Sequence, residues 1–244
     1  MDALPIDAIH SLSFVLGLVC GSFVTVLSYR MPRGEGFVRG YSRCPICETD
    51  LKALDLIPLL SWTTFLGRCR YCKDPISVRY PFIEITCGIL FLLTSLSYMP
   101  DQPARTLLQC SLCVMLLSLS VIELEGYSLP NSLIIITLGL ALGLNWINCS
   151  PFFAAAILSA GTFCLGIVLH IIWKFFLKES FHEWGVVKLA AAIFFCVPLD
   201  SMAIFLGVFG LATIMLAVQF VWCLSRQVIP IGPALAAGVF AALL

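Results

Sequence analysis

AIHSLSFVLGLVCGSFVTVLSY, residues 8–29, carries no charge unless His10 is protonated, and it stops at Arg30. Twenty-two residues without a fixed charge, most of them apolar, make a helix about as long as the hydrocarbon core of a bilayer is thick. The stretch is no cleaved leader by its flanks. Asp2 and Asp7 replace a basic start, and Tyr29–Arg30 replaces a small-residue cut site. It reads as a retained membrane helix. Working outward, further apolar stretches run over Phe82–Tyr98, Thr106–Ile122, Leu129–Ile147, Phe152–Trp173, Leu189–Leu199, Met202–Leu224 and Ile231–Leu244. That makes about eight transmembrane helices, or seven if one of the two short stretches does not cross. Composition agrees. Only 11% of the residues are charged and 60% are hydrophobic, against about 25% charged in a soluble domain. Too little charge exists to cover a water-facing surface. A soluble enzyme, a disordered chain and a nucleic-acid binder are excluded, and an all-α polytopic membrane protein in contact with the lipid bilayer is expected.

The basic residues orient it. Nine of the fourteen Lys and Arg fall between Arg30 and Arg79, while Lys174, Lys178, Lys188 and Arg226 flank two later loops. With residues 30–81 in the cytoplasm and alternation through eight spans, only Arg105 faces outward. Both termini are then periplasmic, and the loops Glu123–Leu129 and Lys174–Val187 are cytoplasmic. The domain plan is a first transmembrane helix over 1–29, a cytoplasmic four-cysteine domain over 30–81, and a helical bundle over 82–244. No internal repeat, linker or low-complexity tract is evident.

The loop contains Cys44-Pro-Ile-Cys47 and Cys69-Arg-Tyr-Cys72. Two CxxC pairs about twenty residues apart have the spacing of a four-thiolate zinc site, each pair turning two sulfurs toward one ion. Disulfides do not fit a reducing cytoplasm. A closed site of four thiolates leaves no open position, so the zinc is expected to be structural, folding a loop too short to build its own core. Cys110 and Cys113 are also spaced as CxxC but lie within an apolar helix, where cysteine acts as a small hydrophobe.

Around these cysteines the residues become specific. Gly21-Ser22-Phe23 leads to Tyr29-Arg30-Met31-Pro32. Ser42-Arg43-Cys44-Pro45 is followed by Asp55-Leu56-Ile57-Pro58-Leu59-Leu60-Ser61-Trp62, then Gly67-Arg68-Cys69-Arg70-Tyr71-Cys72, then Pro75-Ile76-Ser77 with Arg79-Tyr80-Pro81 and Glu84. Near the end stands Pro230-Ile231-Gly232-Pro233-Ala234-Leu235-Ala236. The whole chain resembles the bacterial type IV prepilin peptidase family, most specifically over its first ninety residues. Thr25 stands where that family usually has Asn. The resemblance implies an inner-membrane enzyme that removes the basic leader of type IV prepilins or type II secretion pseudopilins. It also implies N-methylation of the new terminus with S-adenosylmethionine, although no glycine-rich nucleotide loop is visible.

The resemblance also locates the catalytic aspartates, and neither is present. One is expected seven residues before the Pro of a Leu-Pro-Asn turn. Here Leu129-Pro130-Asn131 is preceded at that distance by Glu123. The other belongs to Gly-x-Gly-Asp-x-Lys, which reads Glu183-Trp184-Gly185-Val186-Val187-Lys188. Gly185 and Lys188 remain while Val186 replaces the acid. Two carboxylates that share one proton, one activating water and one protonating the substrate, require an ionisable side chain at both positions. A valine does neither, and a displacement of about 1 Å at Glu123 can itself cost on the order of a hundredfold. Glu183, about one helical turn before Val186, is the candidate substitute acid. Lys188 also reads as a snorkelling anchor. Three functions are compatible with this pattern: a prepilin peptidase with an altered acid pair, a non-catalytic relative that binds prepilin-like proteins, and a methyltransferase without a protease.

Overall fold

The computed structural model describes residues 5–36, 42–126, 128–148, 151–177, 184–193 and 232–243, with positions 195, 197, 202 and 206 besides. Among them every regular element is helical, and extended pairing is limited to two isolated bridges. The expected span Met202–Leu224, apart from positions 202 and 206, and the candidate acid Glu183 lie outside the described residues. The chain divides into two compact units, Met1–Thr106 and Leu107–Leu244.

The first unit is built on α1 (Ile6–Arg30) and α3 (Arg79–Tyr98), with a short α2 (Leu60–Thr64) in the loop between them. α3 starts three residues before the apolar stretch Phe82–Tyr98, taking in Arg79, Tyr80 and Pro81. Proline is tolerated there because a first-turn N–H has no helical partner to lose. The sides of α1 are the reverse of those of a helix in water. Leu12, Val15, Leu16, Val19 and Phe23 are exposed, while Gly17, Gly21, Val24, Thr25, Leu27 and Ser28 are buried. Lipid gives no hydrophobic drive for two helices to associate, so small residues and close packing must hold them. A Cβ on Gly21 would stand 2.6 Å from the Glu84 Cα, and one on Gly17 would stand 2.8 Å from Cys87 O and the Gly88 Cα. Gly88 answers from α3, where a Cβ would meet Phe14 and Leu18 at 2.9 Å. His10 and Ser95 share a 2.8 Å hydrogen bond at the other end of this antiparallel pair.

The second unit contains α4 (Pro103–Leu124), α5 (Asn131–Ile147), α6 (Phe152–Leu177), α7 (Trp184–Ile193) and α8 (Gly232–Leu243). α7 packs against α5, α6 and α8. Leu112, Leu116, Leu119 and Ile122 of α4 are fully buried at three- and four-residue spacing, the pattern of one helical face. Gln109 donates to the Leu243 carbonyl at 3.2 Å, tying α4 to the end of α8. Buried Ser118, Ser120 and Thr137 each donate to a carbonyl four residues back in their own helix, as a site without water requires.

The helices Ile6–Arg33, Arg79–Tyr98 and Pro103–Leu124 are long and apolar enough to cross a membrane. Asn131–Ile147, Phe152–Cys164 and Pro233–Leu243 are shorter apolar helices.

The glycine contacts yield a measurable contrast. Gly21→Ala should destabilise the chain by about 1–3 kcal/mol through overpacking. Gly139→Ala has open space around it and should be neutral or stabilising by up to about 1 kcal/mol from helix propensity. Thermal or denaturant unfolding of the purified protein reads both. A harmless Gly21→Ala would show that α1 and α3 do not approach this closely.

Candidate metal centre and helix-end site

The four loop cysteines converge. The sulfurs of Cys44, Cys47, Cys69 and Cys72 all lie within 4.8 Å of one another, and Cys44 Sγ stands 3.8 Å from Cys72 Sγ. Zinc–sulfur bonds of about 2.3 Å make a tetrahedron with edges of about 3.8 Å, whereas a disulfide would need about 2.05 Å. All four are free thiols. Geometry and donor set therefore fit one tetrahedral ion.

The backbone that presents them is duplicated, which corrects the expectation of no repeat. Cys44 N–H donates to the Thr49 carbonyl and Glu48 N–H to the Cys44 carbonyl. Cys69 and Lys73 make the same two bonds with Asp74 and Cys69, twenty-five residues on. Leu51 N–H to Ser42 O and Ile76 N–H to Gly67 O close the two loops at 2.8 and 2.7 Å. Arg43–Asp50 and Arg68–Pro75 are the matching bridges. Glu48 and Lys73, directly after the second cysteine of each pair, take left-handed φ of 54° and 62°. In each loop the left-handed residue turns the chain back under its two sulfurs. Little beyond Arg-Cys-x-x-Cys is shared in sequence, so the repeat lies in hydrogen bonding rather than in residue type.

The thiols hold their protons unequally. Hydrogen bonds from Thr49, hydroxyl and N–H, bring Cys47 down to about 6. Burial raises Cys69, but the N–H groups of Cys72 and Tyr71 outweigh it and lower the thiol below its usual value. The Asp74 N–H favours the Cys72 thiolate, yet burial and the three neighbouring sulfurs push that thiol up to about 12. Four like charges cannot gather here unaided, and a divalent cation would supply the compensation.

Two acids that the sequence motifs contain, without any assigned role, fasten this module. The Asp55 side chain is only 5% exposed. Its Oδ2 accepts from the Lys52 N–H and the Tyr71 hydroxyl, both at 3.0 Å, and Arg70 stands 3.6 Å from Oδ1. Arg70 and Tyr71 are the middle residues of the second CxxC, so Asp55 ties that knuckle to the connecting segment. Burial works against its charge, but these donors and Arg70 outweigh it and hold the carboxyl below the usual range. Buried Glu84 accepts from the Leu59 N–H at 2.8 Å, joining the start of α2 to α3. Trp62 braces the other side. Its ring would lie 2.8 Å from a Cβ on Gly67, and its Nε1–H donates to the Ile76 carbonyl at 3.2 Å.

In the second unit two distant segments meet. Lys188 Nζ donates to Asn131 Oδ1 at 3.0 Å. A Cβ on Gly185 would stand 2.7 Å from the Leu129 Cβ, so glycine lets the first turn of α7 close on the turn before α5. Glu123 is half-buried in the last turn of α4, and Val186 lies in the first turn of α7. Glu183 lies outside the described residues. The expectation for Lys188 was an anchor or a retained motif residue. Its pairing with Asn131, fifty-seven positions away, had no signal in the sequence.

This is a helical membrane protein with a four-cysteine module. Residues 15–98 match the family described as Bacterial Peptidase A24 N-terminal domain. A prepilin leader peptidase/N-methyltransferase of Burkholderia pseudomallei is 30% identical over 266 aligned positions, covering 97% of this chain and 85% of that protein. One of Aeromonas hydrophila is 29% identical, covering 96% and 90%. One of Myxococcus xanthus is 35% identical over 176 positions, covering 68% of this chain but half of that protein. No solved structure matches. The chain belongs to the prepilin leader peptidase/N-methyltransferase family.

Two outcomes are expected at the cysteines. Metal analysis should find one zinc per chain, lost in Cys69→Ser, and the affinity should fall as pH falls because protons compete for the thiolates. A well-folded preparation without metal would exclude the site. Asp55→Asn should loosen the second knuckle and speed zinc transfer to a chelator above pH about 4, the ordinary carboxylate range. The Asp55 pKa is depressed on folding, so its contribution is present above the unfolded value and is lost as pH falls through the folded one. The difference from wild type should therefore vanish in acid.

Proposed function

We propose that this chain engages prepilin-like or pseudopilin-like substrates in the bacterial inner membrane through the family's helix-end site, without cleaving their leaders by a two-carboxylate mechanism. The observation that carries this is the meeting of Leu129–Asn131 with Gly185–Lys188. The scaffold on which the family pattern sets its two acids is kept, while its acid positions hold Glu123 and Val186. Hydrolysis of the leader bond needs one carboxylate to take a proton from water and a second to give one to the departing peptide. Val186 has no proton to hold or give, so the position of the second carboxylate carries no acid–base group. In this reading the four cysteines hold a structural zinc that folds residues 30–81. That module faces the cytoplasm, the bundle over 82–244 completes about eight spans, and both termini are periplasmic.

Methylation with S-adenosylmethionine is a separate activity, and nothing in the altered acid pair removes it. The printed name of the Burkholderia relative pairs the two activities. A methyltransferase without a protease is therefore the second reading.

One assay separates these. The purified protein is incubated with a prepilin, a pre-cleaved pilin and labelled S-adenosylmethionine, and cleavage, methylation and binding are scored. Binding without cleavage is expected, and Glu123→Ala should leave the cleavage readout unchanged. Glu123→Asp with Val186→Asp should recover some activity, since a positioned acid–base group contributes about 10²–10⁴-fold. Robust cleavage by the unaltered chain, abolished by Glu123→Ala or Glu183→Ala, would overturn the proposal. Methyl transfer to the pre-cleaved pilin would establish the second reading.

A further inference from the structure

Leu66 is the least accounted-for residue of the cysteine module. It is 84% exposed and takes a left-handed φ of 53°, a conformation that costs a leucine and that folding alone gives no return for. It is also held firmly. Its N–H donates to the Thr63 carbonyl, Gly67 N–H donates to the Trp62 carbonyl, and the Trp62 ring lies under Gly67. Leu54, Leu56, Leu60 and Val78 of the same module are exposed as well. A soluble domain seldom leaves so much aliphatic surface in water unless something covers it.

The position of the module names what covers it. In sequence it lies between α1 and α3, both of membrane-spanning length. The Leu59 N–H reaches Glu84, which lies roughly 8 Å along α3 from Arg79 at about 1.5 Å per residue. The start of α2 is therefore pinned beside the second turn of a membrane helix, at the level where hydrocarbon gives way to headgroups. Charge agrees. Between Lys52 and Arg79 there are five basic residues against two acids, and Asp55 is taken up by Tyr71 and Arg70. Lys52, Arg68 and Lys73 are exposed. A second copy of this chain would bring the same positive charge and be repelled, whereas an anionic leaflet attracts basic side chains and accepts aliphatic ones.

We propose that the Leu60–Gly67 face of the cysteine module docks on the anionic phospholipid surface, with Leu66 inserted among the acyl chains and Arg68 at the headgroups. The membrane then forms one wall of the module and holds it against the bilayer rather than leaving it to swing. The inference rests on the proposed function only in setting α1 and α3 across the membrane.

The test places p-benzoylphenylalanine at position 66 of the full chain in vesicles of phosphatidylglycerol and phosphatidylethanolamine, and again in vesicles of phosphatidylcholine alone. Position 82, exposed on α3, serves as the insertion control, and zinc content reports that the module is folded. After irradiation, mass spectrometry should find phospholipid adducts at position 66 in the anionic vesicles. Their yield should be several-fold lower in phosphatidylcholine and with Arg68→Glu, while position 82 labels equally in both vesicle types. Absence of lipid adducts at 66 while 82 is labelled would overturn the docking and leave the span assignment intact. Equal yields in the two vesicle types, or adducts mainly joining two chains, would also overturn it. Failure at 82 would remove the membrane placement on which the docking stands.

Discussion

Two helices in lipid have no water to squeeze out between them, and the first unit follows from that constraint. Association has to come from contact, and contact from how closely two backbones approach. Gly17 and Gly21 on α1 and Gly88 on α3 leave almost no gap. Once this pair is set, the chain between its members leaves and returns at one end of the pair. A segment with few large buried side chains is thereby confined to a small volume, which favours the gathering of four cysteines.

The cysteine module extends the same economy. Among its described residues no helix is longer than five residues and there is no sheet, so its order comes from loops repeated twenty-five residues apart and from single polar ties. Asp55 binds the second knuckle to the connecting segment, Glu84 binds that segment to α3, and Trp62 supports the turn at Gly67. A metal ion would complete a site whose backbone is already shaped for it.

In the second unit the function proposed above separates the chemistry from the scaffold. The turn at Leu129–Asn131 and the first turn of α7 still meet through Gly185 and Lys188. A contact between helix ends depends on small residues and one hydrogen bond, and the reacting groups do not enter into it. Such a contact holds the two helix ends together whatever residues stand at positions 123 and 186.

Composition and local spacing determined a good part of this protein. The scarcity of charge required a helical membrane protein. The two CxxC pairs pointed to a common metal site, because each pair acts over four residues and needs no knowledge of the fold. The family motifs lie in short runs and are legible for the same reason. Other features joined residues with no local pattern between them. The glycine seam between α1 and α3, the Glu84–Leu59 tie and the Lys188–Asn131 bond link positions tens of residues apart. The twin knuckles share backbone hydrogen bonds more than side chains. These were decided only in the tertiary structure, where close approach and hydrogen-bond geometry, rather than residue type, select the partner.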